Sequence, residues 1–512
     1  MTSEDTKDNK RIIKNTLLLY IRMFFVMGVT LYTSRLVLAA LGVEDYGIYN
    51  VVGGVVATMA FLNTTLTTAT TRFITYEIGI GGDGNLKRIF SNCLAAHWML
   101  VLLVVVIVET LGIWFLNTHM NIPENRMFAA NIVLQCAVGS FAMNILSVPY
   151  NGLIIAHEKM GVFAYIGILE TMFKLGIAYV VTIAICDRLI LYACLWLFVS
   201  IVIRFTYNLY CIRHWEESRT APRIEKGLFR SILKFTGFNL MEVFANMMAD
   251  QGVNLLLNIH FGPVVNAARG IAVQTNSALN GFVNNFTTAT NPQIMKCYAD
   301  GNHTRMWNLV EVSNKMSFYL LLLLATPIFF KIHDVLYFWL GNPPSYSAIF
   351  IRLLLLTNLT IMPTRAFYTV ISATGDIKRY QISFGLYRLT VFPVCWIFLN
   401  FISNNPVAVY YIFLVYEVVG TLVKLLLIKQ KMNYFSMSQY CKRILLPCIM
   451  VFGSVFFSNY LLYSFFISTI SGFIFYIIVS ICITLFFVFV LGLNWKERRL
   501  AINYCKNKFR HI

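Results

Sequence analysis

The sequence predicts an all-α integral membrane protein of about 14 transmembrane helices, built as two six-helix lobes plus a C-terminal helix pair. Hydrophobic residues make up 58% of the 512 residues and charged residues only 12%, which is too apolar for an ordinary soluble domain. Apolar stretches of about 20 residues, the length that spans a bilayer as a helix, recur along the chain. The second half also repeats features of the first, which indicates a duplicated helical unit.

Short polar interruptions separate the apolar stretches and define the individual spans. The predicted spans are 13–41, 46–73, 89–117, 126–148, 160–185, 189–212, 229–258, 264–290, 308–331, 347–373, 380–402, 407–430, 444–463 and 465–492. The predicted domains are a cytoplasmic leader (1–12), an N-lobe (13–213), a cytoplasmic linker (214–228), a C-lobe (229–430), an extra helix pair (431–492) and a basic cytoplasmic tail (493–512). The leader lacks the cleavage pattern of a signal peptide, so we expect it to remain on the mature protein.

Lysine and arginine are concentrated in alternate loops, which predicts the orientation of the chain. The leader, the 213–230 segment, the 429–443 segment and the tail from Lys496 are rich in these residues, whereas the opposite loops contain few. Because positively charged loops stay on the cytoplasmic side, both termini are predicted to be cytoplasmic.

Two nearly equal shifts relate the halves of the sequence. One shift places Gly42 on Gly262 and also places the Thr-Thr-Ala-Thr sequence at 67–70 on the same sequence at 287–290. A slightly shorter shift places 156–160 on 373–377. A six-helix unit returns to its starting side of the membrane, so the two copies would be related by an axis along the membrane normal.

Composition and loop length exclude several functions. The formal charge of +18 lies in short loops, and no soluble domain is available to bind nucleic acid. The eight histidines and eleven cysteines show no metal-ligand or catalytic spacing, so we predict neither a cofactor nor a metal site and no enzymatic activity. Loops this short leave no room for an attached ATPase or receptor domain, which makes transport the leading class.

Polar residues inside the predicted spans are the candidate binding groups, because a charge in the bilayer centre costs about 3 kcal/mol or more unless it faces a cavity or a partner. They are most frequent in spans one, two, seven and eight, which are equivalent pairs in the repeat. The candidate substrate-binding residues are Arg35, Arg269, Asp250, Tyr32, Asn246, Asn276, Asn280, Arg365 and Arg388. Asp250 and Glu242 are the candidate ion-coupling residues.

The chemistry of these residues favours an anionic cargo. An arginine fork donates two parallel hydrogen bonds to a phosphate and stays charged in any pocket, so several arginines would suit a diphosphate. A structural interpretation also exists: the asparagines can bond neighbouring helices, and Arg365 and Arg388 can pair within the fold.

Several segments resemble the Wzx-type polysaccharide flippases of the multidrug/oligosaccharidyl-lipid/polysaccharide exporter superfamily. They are Asn15-Thr16-Leu17, the turn Leu41-Gly42-Val43-Glu44-Asp45-Tyr46-Gly47, Val148-Pro149-Tyr150-Asn151 and Ala156-His157-Glu158-Lys159. The resemblance covers nearly the whole chain, and the turn is its most specific part. It implies two six-helix lobes, alternating access, a location in a bacterial inner membrane and an undecaprenyl-diphosphate-linked oligosaccharide as cargo, such as an O-antigen or capsule repeat unit. The expected partners are this lipid, membrane lipids, H⁺ or Na⁺, and the polysaccharide polymerase machinery.

Three alternatives stay open at this point. A cation-coupled multidrug antiporter of the same superfamily would suit the acidic residues Asp250 and Glu242. A flippase for the peptidoglycan lipid precursor would also use arginines. A membrane polymerase or ligase would be expected to need a larger external loop than the longest one here, His333 to Tyr346.

Overall fold

The computed structural model describes residues 3–57, 59–81, 83–119, 122–341, 343–432, 435–463, 470–495 and 497–499, so residues 500–512 of the predicted tail lie outside the described residues. All regular elements in these ranges are helical, which confirms the predicted class. The first nine helices are α1 (Ser3–Ala57), α2 (Ala60–Ile80), α3 (Asp83–Ile107), α4 (Ile113–His119), α5 (Met127–Ala156), α6 (Met160–Ile183), α7 (Arg188–His214), α8 (Lys226–Phe261) and α9 (Pro263–Ala299). The others are α10 (His303–Phe330), α11 (Ile332–Leu340), α12 (Ser347–Ile361), α13 (Phe367–Thr374), α14 (Lys378–Leu389), α15 (Val391–Phe401), α16 (Val407–Lys431), α17 (Met437–Tyr440), α18 (Leu446–Leu462) and α19 (Ile470–Phe487).

Eleven helical segments of the described chain are long and apolar enough to cross a membrane, so this is a multi-pass membrane protein. The predicted spans without a counterpart among the eleven are 46–73, which covers the end of α1 and the first part of α2, and 229–258 and 264–290, where α8 and α9 lie. These are among the polar spans identified in the sequence, and their polar residues lower the mean hydropathy that defines a span.

Prolines divide two of the predicted spans into pairs of helices. Span 347–373 contains α12 and α13, with a short 3₁₀ turn at Pro363 between them. Span 380–402 contains α14 and α15, which separate at Thr390, just before Pro393. A proline lacks the amide hydrogen that would bond the preceding turn, so the helix is interrupted there.

The backbone supports the internal repeat. Gly42 and Gly262 have φ values of 78° and 75°, and Gly81 and Gly301, which are related by the same shift, have 76° and 75°. At the slightly shorter shift, Gly375 has φ 76°, and its counterpart Glu158 has φ 58°, which is unusual for a residue with a side chain. Three equivalent turns therefore share the left-handed conformation.

The described chain forms two compact units. The first contains Met1–Val243 together with Met295–Gly301 and Gly375–Lys378. Its main packing pairs are α1 with α6 and α5 with α7, and α2 and α3 also pack on α5. Two short segments from the second half of the sequence thus belong to the first unit, and the division within α8 lies beyond the linker that the sequence predicts.

The second unit contains Phe244–Ile294, Asn302–Thr374 and Arg379–Ile512. Helices α12 and α16 pack together, and the extra pair α18 and α19 packs on α10. The buried Lys315 ammonium on α10 binds Glu497 beyond α19 at 2.6 and 2.8 Å, and the Tyr319 hydroxyl donates to the Gly492 carbonyl at 3.1 Å. These bonds attach the end of the helix pair to α10.

Candidate functional site

Arg269 and Asp250 form an ion pair between α9 and α8 in the second unit. Arg269 donates to the Asp250 carboxylate and, at 3.1 Å, to its carbonyl oxygen. The Arg269 side chain is 4% exposed, whereas that of Asp250 is 55% exposed. The guanidinium also lies over the Phe413 ring, 5.9 Å from its centre. Asp250 is therefore the accessible member of the pair, and Arg269 is buried.

Polar residues along α9 bond to α12, to the turn after it and to α13. The side-chain amide nitrogen of Asn358 on α12 donates to the side-chain oxygen of Asn276. The side-chain oxygen of Asn358 accepts a hydrogen bond of 3.4 Å from the side-chain nitrogen of Asn280. Further along, Arg365 donates to the Asn284 side chain, and Thr369 donates to Asn291 at 3.0 Å. The predicted candidates Asn276, Asn280 and Arg365 are thus brought to one interface, where the two asparagines hold helices together.

Arg365 lacks an acidic partner among the described residues. Its guanidinium bonds the neutral Asn284 amide and approaches the Met362 sulfur at 4.0 Å. Its side chain is only partly buried. A positive charge therefore remains at this position in the second unit.

Arg388 has a different environment, although it lies in the same unit. It forms an ion pair with Glu417 on α16, whose side chain is 5% exposed. The ring of Phe384 lies 5.5 Å from the Arg388 guanidinium carbon and 4.7 Å from the Lys424 ammonium. This predicted candidate is neutralised within the fold.

Tyr32 and Arg35 lie on the exposed side of α1 in the first unit. The Tyr32 hydroxyl lies 3.0 Å from that of Tyr179 on α6, with a hydrogen bond between them. Arg35 is exposed and forms no hydrogen bond or ion pair with any side chain in the described ranges. It provides a second uncompensated positive charge.

The remaining two candidates lie on α8. Glu242 falls in the first unit and Asn246 in the second, and both are half-buried. Both residues interact with other groups of the protein.

A cluster of charged and aromatic residues beyond the middle of α2, in the first unit, was missed by the sequence reasoning. The Arg72 guanidinium carbon lies 4.5 Å from the ring centre of Phe73 and 4.9 Å from that of Tyr76. The Lys296 ammonium binds the Glu158 carboxylate at 2.8 Å, and Asn15 donates to the Glu158 carbonyl oxygen at 3.1 Å. Arg72 lies one residue before the end of span 46–73, and its only signal in the sequence is the nearby pair of aromatic residues, Phe73 and Tyr76.

A histidine–glutamate pair lies beside this cluster. His157 donates to Glu217 at 2.8 Å and stacks on Trp215, with ring centres 4.6 Å apart. Burial raises the pKa of Glu217, but hydrogen bonds from His157 and from its own backbone outweigh this effect, and the pKa lies below its ordinary value. The segment after α7 is therefore held to the Ala156–His157–Glu158–Lys159 turn.

Comparison with known proteins identifies the fold. No protein-family model matches the chain, and no curated protein matches it by sequence. A multidrug resistance MATE family transporter of the MOP superfamily in its outward-facing conformation superposes with a TM-score of 0.71 at 13% identity, covering 82% of this chain and 95% of that one. A MATE in the bent conformation gives 0.71 at 14% identity, covering 83% and 95%.

A third similar structure is a MOP superfamily transporter from Pyrococcus furiosus Vc1, described as having a binding pocket of reverse polarity that suggests a different function. Its TM-score is 0.67 at 15% identity, and the match covers 82% of this chain and 95% of that one. This protein therefore has the helical fold of the MATE transporters.

Proposed function

We propose that the protein is a flippase that moves an undecaprenyl-diphosphate-linked oligosaccharide from the cytoplasmic to the periplasmic leaflet of the bacterial inner membrane by alternating access. The cargo would be an O-antigen, capsule or exopolysaccharide repeat unit. The observation that carries this proposal is the charge balance of the candidate residues.

Positive charge is in excess among the candidate residues that ion pairs do not neutralise. Asp250 and Glu417 are paired with Arg269 and Arg388. Arg35 and Arg365 have no carboxylate partner among the described residues. An unpaired guanidinium within a predicted span is costly, so each of these groups, taken by itself, is best explained by water and an anionic ligand. A diphosphate fits either arginine, because a guanidinium can bond two phosphate oxygens.

The fold is consistent with this cargo. The similar structures are described as transporters, and one of them is described as having a pocket of reverse polarity. A binding pocket of reversed polarity is thus described for another protein with this fold. We propose that the diphosphate is held by arginines, that the sugars cross in a water-filled cavity and that the lipid chain stays in the bilayer.

Asp250 is the group that we propose for ion coupling, with Glu242 as a second candidate. Its carboxylate is more than half exposed and is shared with the buried Arg269. Protonation of Asp250 would weaken this pair and release a guanidinium charge beneath it. Coupling to H⁺ through Asp250 would thus change the charge of the site during the cycle.

The test is translocation of an undecaprenyl-diphosphate-linked oligosaccharide in sealed vesicles. We expect Arg35→Ala and Arg365→Ala to lose most of the activity, by about tenfold or more each, because a charge-assisted bond to phosphate is removed. Arg213→Ala, at the exposed end of α7, is the matched control and should stay active. Full activity in both site variants would refute the arginine site, and no activity of the intact protein would refute the flippase.

A cation-coupled multidrug antiporter is the second candidate, because the Asp250 carboxylate is accessible and the similar structures include a multidrug resistance transporter. The same vesicles distinguish the two. An antiporter would export a cationic dye and lose this activity in Asp250→Asn, whereas a flippase would move the lipid-linked sugar. The third candidate is a flippase for the peptidoglycan lipid precursor, and it is tested in the same vesicles by adding that precursor as a competing cargo.

A further inference from the structure

Helices α1 and α6 run parallel and in contact through much of the first unit. Asn15 bonds the backbone before α6, Arg22 lies over Phe163 near the start of α6, and Tyr32 reaches Tyr179 near its end. Both helices therefore rise in the same direction. Residues at similar heights on the two helices can thus form one surface.

The hydrogen-bonded tyrosines form the centre of this surface. Tyr32 and Tyr179 each remain 49% exposed although their hydroxyl groups are bonded to each other. The bond joins the hydroxyl ends of the two side chains and leaves about half of each residue exposed. Tyrosine combines an apolar ring with a polar end, so such a pair can offer both stacking and hydrogen bonds to a ligand.

A glycine lies about one turn before each tyrosine. A Cβ atom added to Gly28 on α1 or to Gly176 on α6 would meet nothing within 4 Å. Since the helices are parallel, the two glycines lie at a similar height and leave open space beside the tyrosine rings. We call Tyr32, Tyr179, Gly28 and Gly176 the tyrosine shelf.

Arg35 lies one turn beyond Tyr32, about 4.5 Å further along the helix axis. It is exposed and makes no ion pair with the described part of the chain. A guanidinium and an aromatic surface are thus adjacent on one helix. An arginine inside a candidate membrane span, here Asn15–Gly42, is poorly suited to a lipid-facing surface, which favours contact with water and a polar ligand.

We propose that the tyrosine shelf binds the first sugar ring of a polyprenyl-diphosphate-linked saccharide whose phosphate is held by Arg35. This inference rests on the proposed function and adds a sugar-binding subsite to it. The sugar is bonded directly to the diphosphate, so its ring is adjacent to the phosphate, just as Tyr32 is one turn from Arg35 on α1. The C–H face of the ring stacks on the tyrosines, and its hydroxyl groups bond to their phenol oxygens.

The experiment compares two probes with purified protein in nanodiscs: a polyprenyl diphosphate without sugar and the same lipid carrying one hexosamine. Tyr32→Ala and Tyr179→Ala should weaken binding of the glycosylated lipid about five- to tenfold and leave the affinity for the bare diphosphate unchanged. Arg35→Ala should weaken both. Tyr165→Ala, which removes an exposed tyrosine near the other end of α6, is the control and should change neither.

The outcomes separate this proposal from the one on which it rests. Equal losses for both lipids in the tyrosine variants, or no loss for either, would refute the shelf while the flippase stands. Failure of the intact protein to bind either lipid would refute the proposed function itself. Tyr32→Phe keeps the ring and should retain most of the preference for the sugar, which controls for a folding defect.

Discussion

Arginine side chains in the membrane region differ in what surrounds them. Arg269 and Arg388 each bind a carboxylate, whereas Arg365 bonds a neutral amide and Arg35 is exposed. A buried ion pair contributes little net stability, but removing one partner leaves an uncompensated charge. Loss of a paired arginine should therefore affect folding, and loss of an unpaired one should affect binding.

Substitution of Arg388 tests this distinction by stability. Arg388→Ala should destabilise the protein by about 3 kcal/mol, because the buried Glu417 carboxylate loses its partner. Thermal unfolding in detergent measures the effect. The double variant Arg388→Met with Glu417→Met should recover most of the loss, and Arg365→Ala should unfold near the normal temperature. An Arg388→Ala protein as stable as the original would contradict a structural role.

The sequence predicts which residues are unusual, but not their partners. Asn276 and Asn280 stand out because amides are rare in an apolar helix. Their bonds to Asn358 depend on how α9 and α12 pack, although these helices are far apart in the sequence. The same applies to Arg388, because no local pattern connects it with Glu417. Pairing between distant helices is decided by tertiary packing.

Close approach of two helices in the first unit depends on one glycine. A Cβ atom added to Gly79, near the end of α2, would lie 2.7 Å from the Ala299 Cβ and 2.9 Å from the Lys296 Cα. The rings of Tyr76 and Tyr298 lie beside this crossing, with centres 6.4 Å apart. The shift that places Gly42 on Gly262 also places Tyr76 on Lys296 and Gly79 on Ala299, so equivalent ends of the repeat meet here.

Gly79→Ala should destabilise this structure by about 1–3 kcal/mol, because backbone atoms cannot move away as a flexible side chain can. The Gly453→Ala control on α18 meets nothing within 4 Å and should be neutral or slightly stabilising. Thermal unfolding of both variants is the measurement. Equal unfolding temperatures for them would show that the crossing is not tightly packed.

The sequence predicts helices well where apolar runs are long, and less well where the helices are polar or interrupted. Span 160–185 corresponds closely to α6 (Met160–Ile183). Span 347–373 contains two helices because a separate turn, Met362–Thr364, is formed around Pro363. The repeat predicts a turn at Gly42, and the structure confirms a non-helical residue there. Apolar runs give the length of a span, whereas breaks depend on individual residues.

Charge is distributed unevenly over the whole molecule, and this distribution underlies the proposed orientation. The segment 213–230, which connects α7 to α8, contains five lysine and arginine residues, whereas the short connection between α6 and α7 contains the exposed Cys186 and has Arg188 as its only basic neighbour. Positively charged loops remain in the cytoplasm. The two connections should therefore lie on opposite sides of the membrane, with Cys186 outside.

A membrane-impermeant maleimide tests this orientation with a cysteine that the chain already contains. In cells whose inner membrane is intact, Cys186 should be labelled, and Cys186→Ser should remove that signal. In the same background, Thr220→Cys, between α7 and α8, should be labelled only after the inner membrane is broken. The reverse pattern would place both termini outside and would reverse the direction in which the proposed cargo enters. Because the charge bias of the loops predicts which pattern appears, one labelling experiment tests the topology on which the transport direction depends.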